Sequence, residues 1–90
     1  MQVVNIVEKM AWDKLDTVLN SKENICKCEK CRADMIAYAL NKLKPRYVST
    51  ERGEVFVRAQ YMDVDLSAAI LVALTEAVEV VGKNPHHDKE

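Results

Sequence analysis

Three cysteines stand within six residues of the chain, at Cys26, Cys28 and Cys31. This run constrains the fold more than any other feature, because thiolates two and three residues apart can converge on one soft cation through short connections. An odd number of cysteines, in a chain expected to be cytoplasmic, argues against a disulfide framework. The spacing therefore predicts a metal site with Zn²⁺ as the cofactor, in a structural rather than a catalytic role.

The fourth ligand of this predicted zinc site is open, because the CxCxxC run supplies only three of the usual four. His86 and His87 are the only histidines in the chain, and a water, a carboxylate or a residue of a partner chain would serve as well. The alternative is three reduced cysteines without a metal, two of them buried as small apolar side chains. An iron–sulfur cluster is less favoured, since such clusters usually take four thiolates.

Apolar residues recur with the period of an α-helix in three segments, which predicts a small, mainly all-α fold in one domain, residues 1–90. The predicted helices cover residues 2–20, a segment from Cys31 or Arg32 to Leu43, and a segment from about Leu66 to Lys83. The cysteine run would then form a zinc knot just before the second helix, where the positive end of the helix dipole favours thiolates.

The ends of these helices carry recognisable signals. Asn5 and Glu8 have the spacing of a capping box, although the apolar stripe begins before Asn5 and also allows a position inside the helix. Pro45 stops the second helix and belongs to an extended connector over residues 44–50. Asp63 or Asp65 is expected to cap the last helix.

Residues 51–62 are ambiguous between a strand and a helix. Val55, Val57 and Ala59 alternate as in a strand, but Phe56 breaks the alternation. Because an isolated strand would have no partner in this chain, helix or irregular structure is favoured. The conformation of residues 54–60 stays open at this level.

The last predicted helix is apolar on nearly its whole circumference, because Leu71 and Val72 extend its stripe of core positions. Such a helix in a small domain must bury its second side, and a two-fold homodimer is favoured over complete burial between the other two helices. Trp12 breaks the pattern of the first helix by lying in its polar stripe. It belongs either to an interface or ligand wall, or to the boundary of the domain's own core.

Composition limits the function. Thirteen basic and 14 acidic residues give a net charge of −1, so direct nucleic-acid binding is not expected. No apolar run reaches the roughly 18 residues of a membrane span, and the N-terminus is unlike a signal peptide, so a cytoplasmic protein without membrane contact is expected. With only Gly53 and Gly82, the chain has no Gly-rich phosphate loop. A binding or regulatory protein is therefore favoured over an enzyme.

Basic residues concentrate around the connector. The candidate ligand-binding residues are Lys44, Arg46, Tyr47, Ser49, Thr50 and Arg52, with Lys42, Arg58 and Tyr61 beside them. Guanidinium groups pair with phosphate oxygens, hydroxyls add hydrogen bonds, and aromatic rings stack on bases. This combination indicates a phosphorylated ligand that carries a base, and the alternative is a connector that is simply solvated.

Several segments together resemble the late competence development protein ComFB family over nearly the whole chain. They are Asn5-x-x-Glu8, Cys26-x-Cys28-x-x-Cys31, the run AYALNKLKPRYV from Ala37 to Val48, the run TERGEV from Thr50 to Val55, and KNPH from Lys83 to His86. A helix followed by Pro-Arg-Tyr-Val after the cysteines is specific to this family, whereas the cysteine run alone is not. Lys44 departs from the family pattern, which usually has a second proline before Pro45.

The resemblance implies a small helical homodimer that holds zinc at Cys26, Cys28 and Cys31. Some family members lack these cysteines, which favours a structural metal. Other members act as receptors for cyclic dinucleotides, so the resemblance implies a receptor that relays cyclic di-GMP or cyclic di-AMP to a protein partner. The alternative is a structural or interaction protein associated with late competence and DNA uptake, without a small-molecule ligand.

Overall fold

The computed structural model describes residues 2–60 and 64–84, and these form four helices and one short pair of strands. In chain order they are β1 (Val4–Asn5), α1 (Ile6–Asn20), α2 (Glu29–Leu40), β2 (Tyr47–Val48), α3 (Glu51–Gln60) and α4 (Val64–Lys83). The two strands pair antiparallel, with Val4 opposite Val48 and Asn5 opposite Tyr47. The prediction of a small, mainly helical domain is confirmed, and the homodimer stays a prediction.

The core lies where α4 packs against α1 and α2. Each of these helices presents one apolar stripe inward, which follows from the 3.6-residue period of its sequence. The residues of the core that are buried almost completely are Ile6, Val7, Ala11, Leu15, Leu19, Cys31, Met35, Ala39, Ile70, Leu74, Ala77 and Val78. Cys31 is among them, so the cysteine cluster touches the core.

Helix α1 begins at Ile6 and not at residue 2. Asn5 has extended backbone angles and its side chain accepts a hydrogen bond from the Val7 amide, so it is the N-cap. The open question about Asn5 is thereby decided in favour of a cap. The residue before it, Val4, leaves the helix axis and pairs with Val48.

Helix α2 covers Glu29–Leu40, so it begins before Cys31 and ends before Leu43. Its first turn starts at Cys28, whose sulfur accepts a hydrogen bond from the Cys31 amide at 3.5 Å. The predicted end at Leu43 is wrong, because the chain closes with a tight turn in which the Lys42 amide donates to the Ala39 carbonyl at 3.0 Å. The extended connector follows that turn.

The ambiguous segment is helical, since α3 covers Glu51–Gln60. Thr50 starts it: its side-chain oxygen accepts a hydrogen bond from the Gly53 amide at 3.0 Å. Val57 is its one buried residue, while Val55 and Phe56 face outward.

Helix α4 begins at Val64, which places Asp65 within the helix and not before it. Tyr61, Asp63, His86 and His87 lie outside the described residues. Complete burial of α4 is wrong, because Leu71, Val72 and Val80 are exposed by 37%, 67% and 39%. None of the described helices combines the length and apolar character needed to cross a membrane.

Candidate functional site

The three cysteines converge at the junction between the loop after α1 and the start of α2. Their sulfur atoms all lie within 4.8 Å of one another. Cys31 is buried, Cys26 is half-buried and Cys28 is exposed, so the cluster opens to solvent on one side. The sequence prediction that these side chains form one group is confirmed.

The loop that carries the cluster is anchored to the end of α4. Ile25 packs over Gly82, where a Cβ atom would come within 3.2–3.3 Å of the isoleucine side chain. Lys22 pairs with Glu79 at 3.2 Å. Asn24 has a positive φ of 62°, a conformation that asparagine tolerates better than most residues. These contacts fix the path of the chain into the cysteine run.

The environments of Cys28 and Cys31 differ. The amide of Cys31 is the main cause that lowers the pKa of the Cys28 thiol, because it stabilises the thiolate. Burial raises the pKa of Cys31 to about 12, and the neighbouring sulfurs act in the same direction. A nearby cation is therefore needed before the buried sulfur ionises at neutral pH.

The geometry fits a thiophilic metal ion. Tetrahedral thiolates around Zn²⁺ at about 2.3 Å have sulfurs roughly 3.8 Å apart, which is within the span of this cluster. The donor set of three sulfurs suits zinc better than a hard cation such as Mg²⁺. The cluster is therefore a candidate metal site. The fourth ligand stays open, and His86 and His87, two of the options for it, lie outside the described residues.

A second candidate site lies on the connector side of the molecule. It is a partly enclosed cavity of about 210 Å³ lined by Lys42, Leu43, Lys44, Arg46, Leu66, Ala69 and Ile70. Three cationic side chains thus border a space whose wall on α4 is apolar. Such a combination can hold an anionic group beside an apolar one.

Arg46 is tied to the start of α1 through its backbone. Its amide donates to Asn5 Oδ1 at 2.9 Å, and its carbonyl accepts from the Ile6 amide at 2.8 Å. Two hydrogen bonds therefore fix the backbone of Arg46, whose cationic side chain lines the cavity.

Lys42 is engaged on the other side of the cavity. Its ammonium pairs with Glu76 at 3.3 Å and lies 5.2 Å from the centre of the Tyr38 ring. The hydrogen bond to Glu76 is the first cause that raises the pKa of Lys42. Lys44 is exposed and Arg46 half-buried.

The structure brings together only part of the predicted ligand set. Lys44 and Arg46 line the cavity, whereas Tyr47, Ser49, Thr50 and Arg52 do not. Tyr47 follows Arg46 in an extended segment, so its side chain points to the opposite side, where it is 66% exposed. The Thr50 hydroxyl already caps α3.

Sequence reasoning missed the residues that complete this site. The apolar wall comes from Leu66, Ala69 and Ile70 of α4, which no pattern in the connector indicates. The spacing of Asn5 and Glu8 indicates a possible cap, but the contact of Asn5 with Arg46 spans 41 positions of the chain. Such a contact carries no local signal.

Comparison with known proteins identifies the domain. The family model for the late competence development protein ComFB matches residues 4–85, which is nearly the whole chain. The chain belongs to the ComFB family.

A known protein and a solved structure, both described as ComFB from Bacillus subtilis, are similar to this chain. Competence protein ComFB of Bacillus subtilis (strain 168) is 31% identical over 83 residues, which cover 92% of this chain and 85% of that protein. A solved structure of the late competence protein ComFB from Bacillus subtilis has a TM-score of 0.82 at 29% identity, covering 99% of this chain and 100% of that one. Both candidate sites of this ComFB family member lie within the matched segment.

Proposed function

We propose that this ComFB family member is a non-enzymatic regulatory protein, a zinc-stapled homodimer that binds a cyclic dinucleotide such as cyclic di-GMP or cyclic di-AMP. The observation that carries the proposal is the cavity bordered by Lys42, Lys44 and Arg46 with an apolar wall from α4. The resemblance to cyclic-dinucleotide receptors of the same family is consistent with it.

The cavity has the chemistry to bind one half of such a ligand. Lys44 and Arg46 offer donors to a phosphodiester, and Leu66 and Ile70 offer apolar surface to a base. Its volume of about 210 Å³ is below the roughly 300 Å³ typical of pockets that enclose a small molecule. A two-fold ligand would therefore be shared between the cavities of two protomers.

In this proposal Cys26, Cys28 and Cys31 hold a zinc ion, and a fourth group completes the tetrahedron. Bound zinc cross-links the loop after α1 to the first turn of α2. The three thiolates contribute the affinity, while the anchoring of Ile25 on Gly82 holds the loop in place for them.

The proposed dimer uses the outward side of α4. Leu71, Val72 and Thr75 lie there beside Glu76 and Glu79, around an open depression. Apolar positions flanked by charged groups are typical of an interface that also has a polar rim. A two-fold axis would bring the same surface from both copies together.

Calorimetric titration of zinc-loaded protein with cyclic di-GMP and cyclic di-AMP tests the proposal. We expect one of them to bind at micromolar concentration or better, with about one ligand per dimer. GTP and ATP, which carry a base and phosphates without the cyclic diester, are the controls. Absence of binding by folded, metal-loaded protein would reject the receptor function.

The second candidate function is a structural or interaction protein of the competence system. Exposed aromatic side chains favour it, because Trp12 is 43% and Phe56 is 66% exposed on α1 and α3. This function would be supported if neither cyclic dinucleotide binds and if a second protein co-purifies with the wild type but not with Trp12→Ala or Phe56→Ala. That result would place a protein partner on these side chains.

A further inference from the structure

Asn5 connects the start of α1 to the proposed ligand site. Its Oδ1 accepts hydrogen bonds from the Val7 amide at 3.1 Å and from the Arg46 amide at 2.9 Å. The Ile6 amide donates to the Arg46 carbonyl at 2.8 Å, and Asn5 pairs with Tyr47 across the two strands. The backbone around Arg46 is thus fixed mainly by residues 5 and 6.

The orientation of the Asn5 amide follows from these contacts. Two backbone N–H donors point at one atom, which must therefore be the carbonyl oxygen and not the amino group. An acceptor is required at this place, but a charge is not. Aspartate would accept the same two hydrogen bonds, and a carboxylate at a helix N-terminus is even favoured.

A negative charge here would nevertheless affect the ligand site. The oxygen lies 2.9 Å from the Arg46 amide nitrogen, and an arginine side chain keeps its guanidinium within about a Debye length of its own backbone at physiological salt. A carboxylate at position 5 would attract that guanidinium and repel an anionic ligand. Asparagine avoids both effects.

We propose that Asn5 is a positioning residue of the anion site: its neutral amide fixes the backbone of Arg46 and leaves the arginine charge available to a phosphate. This inference rests on the proposed function, since it takes Arg46 to bind an anionic ligand. It adds to that function a position where aspartate would suit the start of the helix better than asparagine but would weaken ligand binding.

The test compares Asn5→Asp with Asn5→Ala in zinc-loaded protein, with cyclic di-GMP and cyclic di-AMP as probes. For Asn5→Asp we expect a melting temperature equal to or above that of the wild type, with affinity for the ligand reduced about fivefold, as expected from one added charge at this range. The loss should shrink as salt is raised. Asn20→Asp adds the same charge at the far end of α1 and should bind like the wild type.

For Asn5→Ala we expect a lower melting temperature and faster amide hydrogen exchange at Arg46, measured by NMR, while amides in the middle of α4 keep their protection. Ligand affinity should fall in this variant too, because Arg46 loses its fixed backbone. Only Asn5→Ala is therefore expected to lower stability, whereas both replacements lower the affinity, which a purely structural cap would not produce.

Three results would decide against the inference or its basis. If Asn5→Asp binds as tightly as the wild type, the charge argument is wrong while the receptor function stands. If Arg46 exchange is unchanged in Asn5→Ala, Asn5 does not position that residue. If the wild type binds neither probe, the proposed function itself fails, and the anion-site role of Asn5 fails with it.

Discussion

Two residues of this protein each cap a helix and belong to a candidate site. Cys28 begins α2 with its sulfur and is also one of the three clustered thiols. Asn5 begins α1 and also holds the backbone of Arg46. A substitution at either position changes stability and binding together, unless the new side chain keeps the cap.

Replacement of Cys28 with serine tests its role as a helix cap separately from its role as a metal ligand. Because serine is a good N-cap, we expect Cys28→Ser to unfold like the wild type when a chelator is present. Zinc at about a hundredfold excess over its Kd should stabilise the wild type by about 2.7 kcal/mol. We expect the variant to gain little of this, since one of three thiolates is lost. Urea unfolding with and without zinc measures both effects.

Cys28→Ala is the matched control, because it removes the thiolate and the cap. It should be less stable than Cys28→Ser by about 1 kcal/mol even in the chelator. Equal stabilisation of the wild type and Cys28→Ser by zinc would contradict a structural metal at this cluster.

Replacement of Arg46 tests the ligand site. We expect Arg46→Ala to abolish binding of the cyclic dinucleotide without unfolding the protein, because the contacts to Asn5 and Ile6 use only backbone atoms of residue 46. Lys83→Ala removes the same charge from the exposed end of α4 and should bind normally. Calorimetry and thermal unfolding check the two statements, and wild-type affinity in Arg46→Ala would remove this residue from the site.

Among the elements, α3 contacts the rest of the domain through one buried side chain and a group of ion pairs. Val57 is its only buried residue. Glu54 pairs with Lys9 at 3.1 Å and with Arg58 at 2.9 Å, while Arg58 also lies 3.8 Å from Asp13. The pairs join residues one helical turn apart on α1, Lys9 and Asp13, to residues one turn apart on α3, Glu54 and Arg58.

The ion pairs of α3 make stability depend on acid pH. Hydrogen bonds from Arg58 and then Lys9 lower the pKa of Glu54 below its ordinary value of 4.5. Its contribution is therefore present above pH 4.5 and is lost as the pH falls through the lowered folded-state value. We expect Glu54→Gln to be less stable than the wild type at pH 7, with a difference that shrinks to nearly zero in strong acid.

Urea unfolding of both proteins between pH 7 and pH 2.5 measures this difference. Glu51→Gln is the control, because Glu51 lies in the first turn of the same helix and makes none of the ion pairs found among the described residues. If the difference in unfolding free energy between Glu54→Gln and the wild type is the same at every pH, the ion pairs of Glu54 do not contribute to stability.

At the scale of the whole molecule, the small thickness of the domain explains why one side of α4 is exposed. The domain measures 19 Å along its shortest axis, and a helix with its side chains is about 10–12 Å across. Two layers of helices fill that thickness, so a helix in either layer has one outward side. On α4 this side carries Val72, which is 67% exposed.

The proposed dimer predicts different results for two equally exposed valines. Val72 and Val55 are both 67% exposed, on α4 and α3. We expect Val72→Lys to sediment as a single chain, because a lysine would be buried in the two-fold interface. Val55→Lys should remain dimeric. A wild type that is monomeric at all concentrations, or a dimer that survives Val72→Lys, would exclude the outward side of α4 as the interface.

Local patterns were sufficient for much of this protein. The stripes of Val7, Ala11 and Leu15 or of Ile70, Leu74 and Ala77 predicted buried helix faces, because a regular helix places residues three or four apart on one side. The cysteine cluster was predictable for the same reason: three thiols within six residues cannot move far apart. Family membership followed from segments that are short and contiguous.

The remaining features needed the tertiary structure, since they join residues that are distant in the chain. The role of Asn5 as a cap depends on the pairing of Val4 with Val48, because this pairing keeps residue 4 outside the helix. Local propensity left residues 51–62 undecided, and the helix found over residues 51–60 makes ion pairs with α1. The cavity joins the connector to α4, so its apolar wall and the absence of Tyr47 and Arg52 from it depend on how the helices pack. Local sequence patterns contain no information about such packing, so the concentration of basic residues in the connector pointed to Arg46 but not to the side chains around it.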